Sequence, residues 1–302
     1  MAIDPFWSNV VLLLHCDGAN GSTTYIDNSP LARSPASSPA TITTSVQKFG
    51  TGSLQASGGI GGYINYAGSN DWWFDTGQFT IECWARRTAT ISGVRSLIAR
   101  WPSGSTNLGW FFGFNGTQFG FFYSTTGTDN PFIGGTYTPT LNAFDFFAVD
   151  RDASGVIRVY AGTPAGMSVI ASATVTASLS NPAITMTVAN DGTNNRGFPG
   201  QIDDIRITKG VARYAGTITA PTEAFPDTDH YSTLLAHGLV REVVGISEGE
   251  LRVRGLVREV IGAPGVGSNR LLVQGLVREI VGSSIADTGD AGPKQYAVTV
   301  IT

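Results

Sequence analysis

Residues 79–87 read Phe79-Thr80-Ile81-Glu82-Cys83-Trp84-Ala85-Arg86-Arg87, and their alternation decides the fold class. Phe79, Ile81, Cys83 and Ala85 fall on one face of an extended chain and Thr80, Glu82, Trp84 and Arg86 on the other. That period of two belongs to a strand, and one face is expected to meet a core. Working outward, similar β-branched and aromatic runs occur at Val10–His15, Ser96–Trp101, Gly109–Asn115, Gln118–Ser124, Ala143–Asp150, Val156–Ala161, Ile184–Ala189 and Gly200–Thr208. Gly, Pro, Asn, Asp and Ser separate them, and Asp152-Ala153-Ser154-Gly155 reads as a hairpin turn. A Ser/Thr/Pro-rich stretch through about Ser45 reads as a surface excursion. About nine strands of this kind, with no long helical pattern, predict an all-β sandwich.

Composition agrees. Gly supplies 38 of 302 residues and charged residues only 14%, against usual shares of about 7% and ~25%, as suits a turn-rich β protein. Hydrophobic content of 42% with a net charge of −4 argues against disorder. With 19 basic residues against 23 acidic ones there is no positive field for nucleic acid, which is excluded as a partner. The N-terminus lacks a basic leader and its longest apolar run, Val10–Leu14, is far short of a membrane span, so neither secretion by that route nor membrane insertion is expected. Cys16 and Cys83 stand apart inside apolar stretches and read as buried free thiols; zinc is improbable.

Beyond the Pro-bounded stretch Pro221–Pro226 the character changes. Three twelve-residue units follow, LLAHGLVREVVG (234–245), LRVRGLVREVIG (251–262) and LLVQGLVREIVG (271–282). We therefore expect two domains, a sandwich over 1–226 and a repeat-containing β appendage over 227–302. Each unit reads as a strand or broken strand joined to the next by turn-like segments. Both faces of its GLVRE core carry apolar residues, which predicts burial against a partner chain, a second copy or the sandwich itself. The expected assembly residues are Leu239, Val240, Arg241 and Glu242, then Leu256, Val257, Arg258 and Glu259, then Leu276, Val277, Arg278 and Glu279, with the Arg and Glu side chains setting register as cross-strand or interchain pairs. An internal meander is the alternative.

Catalytic motifs fail on context. Gly245-Ile246-Ser247-Glu248-Gly249 fits G-x-S-x-G but lies in a linker between repeats with no His after it, and His15, His230 and His237 have no recognisable nucleophile partner. The Gly58–Gly62 stretch precedes Tyr63-Ile64-Asn65-Tyr66, without the Lys or helix start of a phosphate cradle. Aromatic runs are more suggestive: Trp72, Trp73 and Trp110 are candidate glycan-stacking rings, with core or interface packing as the alternative. Asp17, Asp27, Asp203 and Asp204 lie in loop or strand-end contexts where oxygen ligands can gather around Ca²⁺, although their spacing is not that of an EF-hand.

Several segments together resemble the concanavalin A-like lectin/glucanase superfamily in its laminin-G-like form. They are Leu12-Leu13-Leu14-His15-Cys16-Asp17-Gly18, Lys48-Phe49-Gly50 with Gly52-Ser53-Leu54, Phe79–Trp84, Phe147–Asp152 and, most specifically, the run from Gly200 to Tyr214. The resemblance covers about residues 8–226 and implies a jelly-roll sandwich, often with a structural Ca²⁺ at one rim, for which Asp17, Asp27 and one of Asp203 or Asp204 are the matching ligands. The Ile207-Thr208-Lys209-Gly210-Val211-Ala212-Arg213-Tyr214 ending and the repeats look similar to tailed-bacteriophage virion proteins. This implies assembly in the bacterial host cytoplasm, other capsid or tail proteins or a second copy as partners, and host glycan as a further ligand. Glycosidases of the superfamily carry an E-x-D-x-x-E strand. Here the matching strand has Glu82 alone, with Arg86 and Arg87 nearby, so the resemblance implies no hydrolase. The leading expectation is a non-enzymatic virion structural protein, a capsid decoration or tail accessory; the alternative is a carbohydrate-binding adhesin.

Overall fold

The computed structural model describes residues 4–102, 104–191 and 196–227, and beyond them the backbone of seven strand segments. The chain divides into two compact units, Met1–Asp227 and Thr228–Thr302.

The first unit is an antiparallel β-sandwich with two single-turn 3-10 helices, Trp7–Asn9 and Asn70–Trp72. Its strands are β1 (Val10–Leu14), β2 (Thr41–Thr43), β3 (Ser53–Gln55), β4 (Ile64–Tyr66), β5 (Phe79–Arg87), β6 (Val94–Arg100), β7 (Trp110–Asn115), β8 (Gln118–Tyr123), β9 (Phe132–Thr136), β10 (Phe144–Arg151), β11 (Val156–Thr163), β12 (Gly166–Thr174), β13 (Met186–Val188) and β14 (Gly200–Lys209). One sheet runs β12-β11-β10-β5-β14-β3-β2, and β1 pairs with the C-terminal half of β14. The other runs β4-β13-β6-β7-β8-β9. Phe79, Ile81, Cys83 and Ala85 enter the core between the sheets, as their alternation predicts, beside Phe147, Val149, Ile205 and Ile207 of the same sheet and Phe112, Phe114, Phe119 and Phe121 of the other. Cys16 and Cys83 are buried free thiols.

The opposite face of β5 is buried as well, which the alternation did not predict. Trp84 packs with Val10, Leu13, Phe146, Ala148 and Tyr160 in a second apolar cluster, completed by Ala220 and Phe225. The covering layer is the strap that leaves β14. Thr80 Oγ1 donates to Val211 O at 2.9 Å and accepts from Arg213 N at 3.0 Å. Asp150 accepts from Tyr214 N, Ala215 N and the Tyr160 hydroxyl, which in turn accepts from Gly216 N. The Pro221–Pro226 stretch is therefore the end of a packed strap, with Phe225 buried beneath it.

A charged network lies under this strap. Arg206 donates through Nε to Glu82 at 2.8 Å and through Nη1 to Asp4 at 2.9 Å. Arg213 forks onto both oxygens of Asp4, and the Tyr214 hydroxyl donates to Glu82. The cations beside Glu82 are thus Arg206 and Arg213. The expected neighbours are engaged elsewhere: Arg86 with Asn142 and Gln201, Arg87 with the Pro139 carbonyl. Burial alone would raise the Asp4 carboxyl, but the hydrogen bond and charge of Arg213, with the charge of Arg206, outweigh it and hold Asp4 below its ordinary value.

In the second unit each repeat contributes two strands to two sheets. Leu234–His237, Glu250–Arg254 and Arg270–Gln274 pair in parallel, with Gln295–Thr299 added antiparallel at the end. Val243–Val244, Val260–Ile261 and Ile280–Val281 form a second parallel set. Parallel pairing brings like positions of the units together, Leu234 to Leu251 to Leu271, where a meander would run antiparallel. The expected assembly residues, Leu239 to Glu242, Leu256 to Glu259 and Leu276 to Glu279, lie outside the described residues.

Removing one partner of a buried ion network leaves an uncompensated charge, so Arg206→Ala should lower unfolding free energy by about 3–5 kcal/mol. All six tryptophans lie in the first unit, so urea unfolding followed by tryptophan fluorescence reads it directly. A loss below about 1 kcal/mol, the value of an exposed pair, would contradict the assignment.

Candidate functional site

The four aspartates expected to hold Ca²⁺ act as hydrogen-bond clamps on backbone N–H groups. Asp27 accepts from Leu13 N, Ser29 N and Arg33 N, and so holds the excursion after β1 against that strand. Asp17 accepts from Thr51 N and Gly52 N. Asp203 accepts from Lys48 N at 2.6 Å, Phe49 N at 3.2 Å and Asp204 N at 2.8 Å. Asp204 accepts from Phe225 N at 2.8 Å and pairs with His15 Nδ1 at 2.7 Å. Asp17, Asp203 and Asp204 sit near one another around the end of β1, while Asp27, in the same β1–β2 connection as Asp17, is turned to Leu13, Ser29 and Arg33. N–H donors converge on these carboxylates where a cation would need free oxygens, and among the described residues no three His, Cys, Asp or Glu side chains gather in a way that could hold a metal ion. The residues present do not fit the calcium site that the superfamily resemblance implies.

A bulge in β14 creates this seam. The register slips between Asp203 and Arg206 against β5, and Asp204 adopts φ 46° opposite Cys16 at φ 57°. Burial pushes the Asp203 carboxyl up to about 7 although three N–H donors oppose it. Burial would lower the His15 imidazole, but its hydrogen bond and charge interaction with Asp204 outweigh that and raise it.

The three tryptophans expected to meet glycan are placed differently. Trp72 and Trp110 are fully buried, and their indole N–H groups donate to the Ala67 and Trp72 carbonyls. Trp73 is half-buried and donates to the Leu179 carbonyl at 2.7 Å. Alternation along β7 turns Trp110, Phe112 and Phe114 inward, and that excludes Trp110 as a stacking ring.

The same alternation turns Phe111 to the outer side of the sheet, where it is buried with Ala99, Trp101 and Leu108 in a further apolar cluster, 1% exposed. It stands in register with Ala99 on β6 and Phe122 on β8, and Phe122 with Phe132 on β9. The Phe122 ring lies 5.7 Å from that of Phe111, 4.3 Å from that of Phe132 and 6.2 Å from that of Trp101. Beside this row runs a row of glycines, Gly113 paired with Gly120 and Gly120 with Gly134. A Cβ at Gly134 would meet the Phe132 ring at 2.3 Å, and one at Gly113 the Phe111 ring at 2.8 Å, so side chains are excluded where the rings lie against the sheet. A hollow of about 110 Å³ opens among Val94, Trp101, Phe111, Phe122, Asn130 and Arg196. The Arg196 side chain keeps 30% of its surface exposed and is anchored by Asp191 at 2.9 Å. Half-buried Phe122 beside the Asn130 amide and the Arg196 guanidinium makes a small amphipathic surface suited to a ring with apolar faces and polar rims. The sequence signal was the phase of Phe111 between Gly109 and Gly113.

The raised carboxyl and imidazole fix the sign of a pH effect. A folded value of about 7 for Asp203, above its ordinary 3.8, means the folded state holds that proton more tightly. The associated stability is complete below 3.8 and lost as pH rises through 7. His15, raised above 6.5, acts in the same sense as pH passes its folded value. Unfolding free energy should therefore fall between pH 5 and pH 8, by at most about 1.4 kcal/mol per pH unit per proton, and Asp203→Asn should flatten the slope. A curve that rises over this range would contradict the assignment.

Comparisons with known proteins agree with the architecture. No curated protein sequence matches the chain. Among solved structures, the binding domain of Paraclostridial Mosquitocidal Protein 1 is similar with a TM-score of 0.52 and 12% identity over 68% of this chain and 50% of that one. The binding domain of botulinum neurotoxin serotype G gives a TM-score of 0.47 and 15% identity, over 68% of this chain and 49% of that one. The chain thus spans about half the length of these structures, and at such identities the likeness is one of fold. The model of the laminin-G-like family, described as the concanavalin A-like lectin/glucanases superfamily, matches residues 57–215, more than half of the sequence. The chain belongs to the concanavalin A-like lectin/glucanases superfamily.

Proposed function

We propose that this protein is a non-catalytic binding protein in which the sandwich recognises carbohydrate and the repeat tract provides attachment. The observation that carries the reading is the small hollow where half-buried Phe122, Val94 and Arg196 meet exposed Asn130, with buried Trp101 and Phe111 packed in its lining. The absence of catalysis is inferred from Glu82. It is a carboxylate on the strand matching the superfamily's catalytic strand, and it is held by Arg206 and the Tyr214 hydroxyl under a packed strap. Binding domains of toxins share the fold, and one was solved in complex with SialylT; that ligand is a property of the toxin.

The finer reading places the protein on a bacteriophage virion, as a capsid decoration, tail accessory or receptor-binding protein that meets host glycan. It rests on the resemblance of the Gly200–Tyr214 ending and of the repeats. The parallel stacking of like repeat positions, Leu234 on Leu251 on Leu271, supports an attachment role, since such a stack extends by adding further copies of one unit. Structural Ca²⁺ has no support in the carboxylate geometry and is left out of the mechanism.

Glycan-array binding tests the first half. Phe122→Ala, and Asn130→Ala on the exposed rim, should each weaken retention of the bound glycan about tenfold or more, with melting temperatures confirming a folded sheet. An array without any bound glycan, or variants that bind unchanged, would contradict it. Truncation after Thr228 tests the second half. The sandwich should stay folded and bind glycan but lose its oligomeric state or particle attachment, whereas unchanged sedimentation and unchanged particle binding would reduce the tract to an intramolecular element.

A further inference from the structure

Arg100, the last residue of β6, is 2% exposed. Its Nη2 donates to the Pro182 carbonyl at 2.5 Å, while Nε and Nη1 have no acceptor among the described residues. Other buried arginines are compensated. Arg206 has Glu82 and Asp4, and Arg151 donates to the carbonyls of Asp75, Val175 and Ala177. Among the described residues no carboxylate acts on Arg100, and burial lowers its guanidinium to about 10. Burying a cation with one neutral acceptor is expensive, and an anion that reached it would offset part of that cost.

The surroundings give the anion a place. Arg100 lines an open cleft of about 400 Å³ with Ser69, Asn70 and Asn181 at its polar wall and Gly68 and Ala183 beside them. Close backbone approaches set the cleft's walls. A Cβ at Gly68 would meet Ile184 O at 2.9 Å and one at Gly109 would meet Arg100 O at 2.6 Å. Asn181 Nδ2 donates to Asn70 Oδ1 at 3.0 Å and Lys209 Nζ donates to Asn70 O at 2.6 Å, and these bonds hold Asn70 in place. Asp71, the acid of this turn, pairs with Arg33 and accepts from the Ser69 hydroxyl. The cleft is distinct from the aromatic hollow, because Arg100 and Trp101 are consecutive on an extended chain and face opposite ways.

We propose that this cleft binds the carboxylate of an acidic saccharide, with Arg100 receiving the carboxylate and Ser69, Asn70 and Asn181 meeting the neighbouring hydroxyls. A guanidinium in a desolvated site pairs with a carboxylate through charge-assisted hydrogen bonds, stronger than either partner makes to water-exposed groups. The saccharide part rests on the carbohydrate-binding reading above; the carboxylate part rests on Arg100 alone.

The test is the melting temperature of the full chain titrated with N-acetylneuraminate, glucuronate, glucose or inorganic phosphate, repeated for Arg100→Met and Phe122→Ala. Either acidic sugar should raise the wild-type melting temperature at concentrations where glucose does not. Arg100→Met should weaken that response at least tenfold while its own melting temperature stays level or rises, because an uncompensated buried charge has gone. Phe122→Ala should keep the response. No wild-type response to either acid, or a response retained in Arg100→Met, overturns the proposal. Phosphate acting as strongly as the sugars overturns the saccharide assignment. Response lost in Phe122→Ala but kept in Arg100→Met assigns the acid to the aromatic hollow and overturns the role of the cleft while leaving the binding function standing.

Discussion

A carboxylate stands in the middle of the central strand of an eight-stranded sheet, and much of the sandwich is arranged around making that tolerable. Glu82 is fully buried. Its charge requires Arg206 on β14; Arg206 and Arg213 require Asp4 from the N-terminal segment; and Tyr214, donating to the same Glu82, brings the exit strap over the sheet. Such a network contributes little net stability relative to an apolar core of the same volume, but breaking it at one point is costly. It therefore fixes where the two ends of the unit lie, and it is why the sheet has two cores. The residues that carry the superfamily resemblance on β5, β10 and β14 supply Thr80, Glu82, Asp150, Arg206, Arg213 and Tyr214 to this fastening, so the resemblance marks architecture and leaves ligand recognition to other surfaces.

The other sheet has the freer face. With its inner side filled by Phe112, Phe114, Phe119 and Phe121, its outer side is built of one aromatic row and one glycine row. The rings pack edge-to-face and tilted on one another, Phe111 to Phe122 at 85° and Phe122 to Phe132 at 34°, and rest on the glycines, so they have little freedom left to lose. The two outer faces are in this way packed differently, one beneath the strap and the other by aromatic rings over glycines.

Much of this was legible in the sequence. Phe79–Arg87 appears as a strand with the stated ends, and its Phe79 face meets the inter-sheet core. The outer burial was not legible, because Trp84 and Glu82 on one face look like a half-exposed pattern until a distant strap is known to cover them. β2, β3 and β4, each three residues long, lie among Ser, Thr and Gly where no periodicity can develop. β12 was missed because it is an exposed edge strand of Ala, Ser and Thr. Among the candidate site residues, Asp17 and Asp27 lie in a loop as expected, whereas Asp203 and Asp204 sit inside β14 at its bulge and not at a strand end, and sequence cannot say whether a carboxylate faces N–H donors or a cation. The tryptophans attracted notice by size; period-two phase would have selected Phe111. Nothing local distinguishes Arg100, since its isolation depends on which residues the fold leaves out of reach.

The claim that carbohydrate meets the hollow beside Phe122 is tested most directly by the tryptophan indole signals in a ¹⁵N–¹H correlation spectrum as a glycan retained on an array is added. The six indoles are natural reporters at known depths. The account predicts that the Trp101 indole shifts progressively with glycan while those of Trp72, Trp84 and Trp110, buried away from the aromatic hollow, stay in place. A stationary Trp101 indole with saturating glycan bound, or movement confined to the buried three, would contradict it.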